Sequence, residues 1–474
     1  SSHLARISNR TRDLFHLCTS SMALMNSLAT LAMLMLPRNE EARETSVLVS
    51  ADACNSTQEA LDVGWLSCRA AEVVKGCKLP GTPQTNFTTL FTPDASHGYG
   101  AQWTRDFYYA VSGAPELMDG AEVKKAVEYT FWGQRADGCM PDRVQADGGI
   151  IMSPGPSMVG PNPDHDHAWD NGPFGALLLA AATEAWPDKD FFCNLEPAAR
   201  RALDFVNRSA NGLVFNDVLR PNCTYGFTDT IAKTGNLLFT SLLFIDASRH
   251  MAGLAAKYGC GDAKHYSLEA AEAGRSVDEM KDPTGQLWLA ATADNALPDV
   301  WGSAYLVALN LSTAPRQHAA MAELVAHREK YFRGGQARSL PSSSYWDRCC
   351  WTPNCSATQG SSGCPGHGTY QNGGYWATPM PYLARALLST GHHDFAQDLV
   401  SECIQDFKER GIYEDVEFEL DPPGFGVLNY TASVTNVLWA AKFLSAAAVT
   451  TTKAPTTVVG FSSTAAAPAM AMLI

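Results

Sequence analysis

The feature that most constrains the fold of this 474-residue chain is a long series of helical segments with scarcely any strand-like alternation between them. In each segment apolar residues return every three to four positions, as they do on one face of a helix. Two segments with this spacing lie at 66–76 and 104–118. Ten more follow at residues 121–133, 172–186, 196–207, 234–257, 265–279, 299–311, 315–332, 376–390, 393–410 and 431–447.

Twelve helices joined by alternately short and long loops predict helical hairpins in series, because each helix must bury its apolar face against a neighbour. About six such hairpins are enough to close a ring. The expected fold is therefore all-α, an (α/α)6 toroid of six helical hairpins with long loops on one face. We expect this domain at residues 95–447, after an irregular lead-in at 37–94.

The two ends of the chain differ from this helical region in composition. Three arginines precede an uncharged run of moderate hydropathy at 14–36, so residues 1–36 are predicted to be a signal segment. It is either cleaved or retained as a membrane anchor, with an ordinary amphipathic helix as the alternative. Residues 448–474 form a low-complexity tail rich in Ala, Ser and Thr, which predicts a disordered or O-glycosylated segment.

Cysteine usage and glycosylation sequons both indicate the secretory pathway. The chain has 13 cysteines without repeated zinc-binding pairs, and four of them crowd one loop, which favours disulfides over buried thiols: Cys349, Cys350, Cys355 and Cys364. An odd number leaves one unpaired, and Cys18 is the candidate. N-x-S/T sequons occur at Asn9, Asn55, Asn86, Asn207, Asn222, Asn310, Asn354 and Asn429. Asn310 is expected to lack a glycan, since it falls within an apolar helical segment.

The charge balance excludes some classes of partner. With 35 Lys and Arg against 49 Asp and Glu, the formal net charge is −14, and no basic stripe is present to neutralise a phosphate backbone. Nucleic acid is therefore not an expected partner, whereas a neutral carbohydrate needs no complementary charge. No cofactor is expected. The Asp-His-Asp-His run at 164–167 is read as a solvated loop rather than a metal site.

Several segments combine acids or amides with aromatic residues, the mixture that binds sugar hydroxyls and covers sugar rings. In the segment 98–109, Trp103, Arg105 and Asp106 are candidate substrate-binding residues. The alternative is a helix N-terminus with an internal ion pair. Further candidates have turn formation as their alternative: Asp142, Arg143, Trp169, Asp170, Gln371, Asn372 and Trp376.

Three of these segments resemble the six-hairpin glycosidase superfamily: Trp103 to Phe107, Asp170 to Phe174, and Gln371 to Trp376. The resemblance covers roughly residues 95 to 447 and is strongest to trehalases, processing alpha-glucosidases, debranching enzymes and plant neutral invertases. It implies an (α/α)6 barrel and hydrolysis of glycosidic bonds, often with inversion. The full trehalase signatures are absent, so trehalose is not implied as the substrate.

A hydrolase of this kind needs two carboxyl groups flanking the scissile bond. Asp229 is the candidate general acid, because neighbouring aromatic residues would desolvate its carboxyl group and raise its pKa; its alternative role is a helix N-cap. The base is expected in the acidic run at 414–421, which is otherwise a solvated loop. Glu414 resembles the late-chain glutamate of these families, and Glu417 is the runner-up.

The sequence thus predicts an exo-acting, inverting glycoside hydrolase with alpha-glucosidase-like character. Three alternatives stay open: a glycan-binding barrel that has lost cleavage, a glycoside phosphorylase, and a polysaccharide lyase with a Tyr or His base. The retained carboxyl groups argue against the first, and the lack of a basic cluster beside the base argues against the second. The sugar and its linkage are left open.

Overall fold

The computed structural model describes residues 62–153, 167–348 and 365–452. Their backbone is dominated by helices, which we number in chain order. The helices are α1 Val63–Gly76, α2 Thr104–Gly113, α3 Gly120–Trp132, α4 Asn171–Ala185, α5 Lys189–Asp204, α6 Leu238–Tyr258, α7 Ala263–Ser276, α8 Val300–Ala308, α9 Ala314–Ala326, α10 Arg328–Tyr331, α11 Met380–Ser389, α12 His393–Arg410 and α13 Thr431–Thr452.

Six of these helices form a closed inner ring. Helix α2 packs on α4, α4 on α6, α6 on α8, α8 on α11 and α11 on α13, and α13 returns to α2. An outer layer of α1, α3, α5, α7, α9 and α12 packs against them. The predicted all-α toroid of six helical hairpins is confirmed.

The two layers differ in composition for a physical reason. Inner helix α4 is buried over nearly its whole length, and its sequence is apolar on every face. Outer helix α5 is amphipathic, with Phe191, Phe192 and Leu203 buried and most of its charged residues on the other face. Asp188 caps it by accepting a hydrogen bond from the Phe191 N–H at 3.0 Å.

Short antiparallel strands occupy the loops. A three-stranded sheet pairs Trp103 with Arg143, and the other sheets are two-stranded. Because inner and outer helices alternate, the inner helices run in the same direction and their N-termini share one face, the loop face. The strands are β1 Lys78–Leu79, β2 Leu90–Phe91, β3 Ala101–Trp103, β4 Arg143–Gln145, β5 Ile150–Ile151, β6 Phe215–Asn216, β7 Gly235–Asn236, β8 Phe332–Arg333, β9 Gln336–Ala337, β10 Val416–Glu417 and β11 Gly424–Phe425.

Helix α1 lies within the predicted lead-in 37–94. Its buried face, including Leu66 and Val73, belongs to the main core, and it packs on α13. The toroid therefore includes residues before position 95. Helix α1 completes the outer layer, and it precedes segment 98–109, the first that combines aromatic and acidic residues.

One disulfide joins Cys193 in α5 to Cys260 just after α6, with an S–S distance of 2.07 Å. Cys68 in α1 is also disulfide-bonded. The predicted cysteine-rich loop at 349–364 and Cys18 lie outside the described residues, as do the signal segment and most of the tail. Among the helices of the described ranges, none has the length and hydropathy needed to cross a membrane.

The inner helices also carry a charged cluster towards their C-terminal ends. His250 Nδ1 lies 2.7 Å from Glu184 Oε1, and its Nε2 lies 3.6 Å from Asp246 Oδ1. Asp246 also accepts a hydrogen bond from the Tyr305 hydroxyl at 2.6 Å. Burial lowers the pKa of His250, but the two carboxylates outweigh this effect and raise the pKa to about 9.

We expect this cluster to stabilise the fold in a pH-dependent manner. The folded-state pKa of His250 lies above the unfolded value of about 6.5, so its contribution is complete below that pH and is lost as the pH rises through about 9. His250→Gln should therefore lower Tm clearly at pH 6.5 and much less at pH 10. Calorimetry at both pH values tests this, with exposed His318→Gln as the control. An equal loss of Tm at both pH values would contradict it.

Candidate active site

Two adjacent residues on the loop face connect the candidate acid with the candidate base. Tyr370 and Gln371 lie in the loop before α11. The Tyr370 hydroxyl is 3.5 Å from Glu414 Oε1, and Gln371 Nε2 donates to Asp229 Oδ1 at 2.7 Å. Burial raises the pKa of Tyr370, and the charges of Glu414 and Asp229 raise it further. Ring closure thus brings distant parts of the sequence into one site.

Asp229 follows a 3₁₀ turn at Gly226–Thr228. It is not the N-cap of the following helix, because α6 starts later and has Leu237 at its N-cap position. The residue is partly exposed. Protein atoms crowd its carboxyl group, and this desolvation raises its pKa to about 7, although the hydrogen bond from Gln371 lowers it. Asp229 can therefore hold a proton near neutral pH.

Glu414 precedes β10 and is buried, with 4% of its surface exposed. The Tyr99 hydroxyl lies 2.8 Å from both of its carboxyl oxygens. Burial raises the pKa of Glu414 well above its usual value and the charge of Asp415 adds to this, whereas the hydrogen bond from Tyr99 lowers it. Once ionised, a carboxylate in such surroundings is a strong base.

The other acids of the 414–421 run have different surroundings. Burial and the charge of Glu417 raise the pKa of Asp415 to about 8. Glu417, the runner-up base, accepts a hydrogen bond from the Tyr370 backbone N–H at 2.9 Å. Glu419 pairs with the buried Arg338. Of these acids, Glu414 is the one that two tyrosine hydroxyls approach.

A buried ion cluster lies beneath the site. Arg105 Nη2 is 2.6 Å from Asp142 Oδ1, and its Nε is 3.1 Å from Asp170 Oδ2. Asn171 Oδ1 accepts a further bond at 3.1 Å. Asp142 and Asp170 have no exposed surface and Arg105 has 3%. Burial leaves these three predicted substrate-binding residues no surface for a sugar, so in this arrangement they hold the loops in place.

This cluster also anchors the turn that carries Asp229. Asp170 Oδ2 accepts a hydrogen bond from the Gly226 backbone N–H at 2.8 Å. A Cβ atom at Gly226 would lie 1.9 Å from Arg105 Nε, so only glycine fits there. The position of Asp229 therefore depends on the buried arginine.

Trp103 and Arg143 lie at the partly exposed edge of the site, whereas Asp106 is buried behind them. The Arg143 guanidinium lies 4.4 Å from the Trp103 ring centroid and covers one face of the indole. The Tyr99 ring meets the same indole edge-on at 5.4 Å. Asp106 accepts a hydrogen bond from the Tyr430 hydroxyl at 2.5 Å, and burial raises its pKa to about 6. Trp103 and Arg143 keep partial exposure and can meet a ligand.

The remaining predicted binding residues support the loops from below. Trp169 is buried and its Nε1 donates to Asn216 Oδ1 at 3.0 Å. Asn372 is fully buried, and its Oδ1 accepts from the Trp346 backbone N–H at 2.7 Å. Trp376 is 1% exposed and packs within the aromatic core. Their side chains are held by protein groups, so each stabilises a loop.

Sequence reasoning did not single out Tyr99, Tyr370 or Tyr430. Each hydroxyl contacts a carboxyl group of the site. Tyr99 lies in the segment chosen for Trp103, and Tyr370 directly precedes Gln371. The signal that could have identified Tyr99 and Tyr370 is that each is an aromatic residue close to a candidate polar motif in the sequence.

One trio of potential metal ligands converges on the outer layer, formed by Asp204, His265 and Glu269. Arg200 pairs with Asp204 at 3.0 Å and Arg208 pairs with Glu269 at 2.6 Å. Two guanidinium groups already neutralise these carboxylates, so the trio is an ion-pair network and does not fit a metal.

Comparison with known proteins identifies the fold. Neither family models nor curated proteins match this sequence. Solved structures do match, including the GH63 mannosylglycerate hydrolase of Thermus thermophilus in complex with glucose, with a TM-score of 0.56, 15% identity, and coverage of 79% of this chain and 99% of that one. The rhamnosidase from Klebsiella oxytoca with rhamnose bound has a TM-score of 0.57, 15% identity, and coverage of 82% and 64%. The chain thus shares the helical toroid fold of these two structures.

Proposed function

We propose that this protein is a glycoside hydrolase in which Asp229 is the general acid and Glu414 is the general base. The observation that carries the proposal is that two consecutive residues connect the carboxyl groups. Tyr370 contacts Glu414, and Gln371 contacts Asp229. The fold shared with a mannosylglycerate hydrolase and a rhamnosidase supports it. No metal or organic cofactor takes part in the proposed reaction.

The proposed reaction is a single displacement. Asp229 transfers its proton to the glycosidic oxygen as the bond from this oxygen to the anomeric carbon breaks. Glu414 removes a proton from a water molecule whose oxygen attacks the anomeric carbon from the opposite face. The products are a sugar of inverted configuration and the released alcohol. Proton exchange with solvent then restores both carboxyl groups.

Gln371 determines which oxygen of Asp229 carries the proton. Its Oε1 accepts from the Thr230 N–H at 2.8 Å and from the Thr230 hydroxyl at 2.6 Å, so the amide orientation is fixed. Nε2 therefore donates to Asp229 Oδ1, which must act as an acceptor. The acidic proton is left on Oδ2, and this is the oxygen that faces the leaving group in the proposed complex.

The raised pKa values of both carboxyl groups predict the pH dependence. Activity needs Asp229 protonated and Glu414 ionised, so the profile should be bell-shaped. The limb set by Asp229 should lie near pH 7, and the limb set by Glu414 should lie above the ordinary carboxyl pKa of about 4, because burial raises the pKa of Glu414.

Replacing Gln371 tests its positioning role. Gln371→Leu removes the hydrogen bond that lowers the pKa of Asp229, so one limb of the kcat/KM profile should move to higher pH. The maximal rate should also fall, because the carboxyl group loses its fixed orientation. The exposed Gln405→Leu is the matched control. A lower rate with an unmoved profile would reduce Gln371 to a structural role.

The substrate is proposed to be a short glycoside cleaved from its end, with alpha-glucosides as the first class to test. The full chain would be offered gluco-, manno- and rhamnosides, mannosylglycerate included, with the released anomer followed by NMR. Hydrolysis with inverted product supports the proposal. Retained configuration would overturn the single displacement, and sugar binding without turnover would favour a glycan-binding barrel.

A further inference from the structure

We propose that Asn310 carries an N-linked glycan whose first sugar lies in a polar cavity beside the loop between α8 and α9. The proposal concerns the outer surface of the toroid and is independent of the proposed hydrolysis. It rests on the position of one sequon, which begins at Asn310, and on a cavity whose lining residue Asp278 contacts Ser312 of that sequon.

Asn310 lies outside the helix in which its sequence segment had placed it. Helix α8 ends at Ala308, and Asn310 occupies the following turn with a positive φ of 53°. Asparagine tolerates this left-handed conformation better than most residues. The side chain is exposed, in contrast to the buried position expected from the apolar segment 299–311. The argument that Asn310 should lack a glycan therefore does not hold.

The carboxamide of Asn310 is oriented by a neighbouring helix. Its Oδ1 accepts a hydrogen bond from Gln317 Nε2 in α9 at 2.7 Å. The same Nε2 donates to the Ser312 carbonyl at 2.6 Å, which ties the sequon to the start of α9. Because the oxygen faces α9, Nδ2 lies on the other side of the carboxamide, where a glycan can be attached.

A cavity of about 430 Å³ open to the surface is connected to this turn through the contact of Ser312 with Asp278. It is lined by charged residues from the end of α7, from the 3₁₀ turn and loop that follow it, and from the start of α9: Arg275, Asp278, Lys281, Asp282 and Arg316 among them. The Ser312 hydroxyl donates to Asp278 Oδ1 at 2.7 Å, so the third residue of the sequon contacts the cavity wall. The volume falls within the range of about 300–1,000 Å³ typical of small-molecule sites. Asp278 and Arg316 pair with each other there, and the other charged lining residues, Arg275, Glu279, Lys281 and Asp282, are of the types that bind the hydroxyl and acetamido groups of a sugar.

The chain provides an internal contrast in Asn222. This sequon residue is 8% exposed, and its backbone N–H and carbonyl both bond the Asn216 side chain at 2.9 Å. A glycan there would have to displace folded protein. Asn86 is exposed, as Asn310 is, but no cavity residue contacts its loop in the described structure. It serves as the control for a glycan that projects into solvent.

The modification requires a lumenal compartment, and the Cys193–Cys260 disulfide is typical of such an oxidising environment. Nδ2 of Asn310 forms a bond to the anomeric carbon of a lipid-diphosphate-linked oligosaccharide. The bond from that carbon to the diphosphate breaks, the lipid diphosphate leaves with the electron pair, and Nδ2 loses one proton.

The first test measures occupancy in the full chain secreted from a eukaryotic host. Peptide N-glycosidase F in ¹⁸O-labelled water converts each glycosylated Asn into labelled Asp, which mass spectrometry detects. Label is expected at Asn310 and not at Asn222. An unlabelled Asn310 peptide would overturn the proposal, whether other sequons are labelled or not. Hydrolase activity, measured separately, distinguishes this failure from a failure of the proposed function.

The second test measures whether the first sugar occupies the cavity. Endoglycosidase H leaves one N-acetylglucosamine on Asn310, whereas Asn310→Gln carries none. Hydrogen exchange at residues 278–282 should be slow in the trimmed protein and several-fold faster in the variant. Asn86→Gln should leave this exchange unchanged. Equal exchange with and without the Asn310 sugar would overturn the proposed contact.

Discussion

Replacing Asp229 with Asn should lower kcat on unactivated glycosides by about 10²–10⁴-fold, the range typical of a lost general acid. The amide has the same shape as the carboxyl group but has no acidic proton to give the leaving oxygen. Its Oδ1 can still accept the hydrogen bond from Gln371 Nε2, so the loop should keep its conformation. The loss therefore reports chemistry rather than unfolding.

The leaving group provides the discriminating measurement for Asp229→Asn. An aryl glycoside with a nitrophenolate leaving group needs little protonation, so its hydrolysis should recover much of the lost rate. Glu414→Gln should be as inactive on that substrate as on any other, because water still needs a base. The exposed Asp217→Asn is the control and should retain full activity. Equal losses for both substrates in Asp229→Asn would contradict its role as the acid.

The toroid was predictable because helical periodicity is a local signal. Segments such as 172–186 and 234–257 show it over several turns, and they correspond to the inner helices α4 and α6. Ring closure followed from the number of helices. The boundary at residue 95 was less predictable, since α1 is a single helix whose partner α13 lies at the other end of the domain.

The candidate carboxyl groups could be chosen from sequence, whereas their neighbours could not. Contact of Tyr99 with Glu414 depends on how two loops that are far apart in the sequence meet on the loop face. Residue types alone also favour exposed positions for Arg and Asp, because such side chains are seldom buried unless they are paired. Arg105 and Asp170 also lie near aromatic residues, a composition that suits sugar binding, so their burial was not predictable.

Arg105→Met should be the most destabilising single change considered for this protein, with a loss of about 3–5 kcal/mol in the free energy of unfolding. The substitution keeps a long side chain but leaves Asp142 and Asp170 buried without their shared cation. The partly exposed pair of Arg135 and Asp137 offers a matched control, since Arg135→Met should cost less than about 1 kcal/mol. Urea unfolding of both variants measures the difference.

The cause of this destabilisation can be tested through pH. In Arg105→Met the pKa of Asp170, already raised by burial, should rise further because the arginine that lowers it is absent. A carboxyl group whose pKa is higher in the folded protein than in the unfolded chain destabilises the fold only at pH values at which it is ionised in the unfolded chain. The difference from the parent protein should therefore shrink from pH 7 to pH 4. A pH-independent difference would indicate that the loss comes from packing around Gly226, where the guanidinium fills the space next to the turn that carries Asp229.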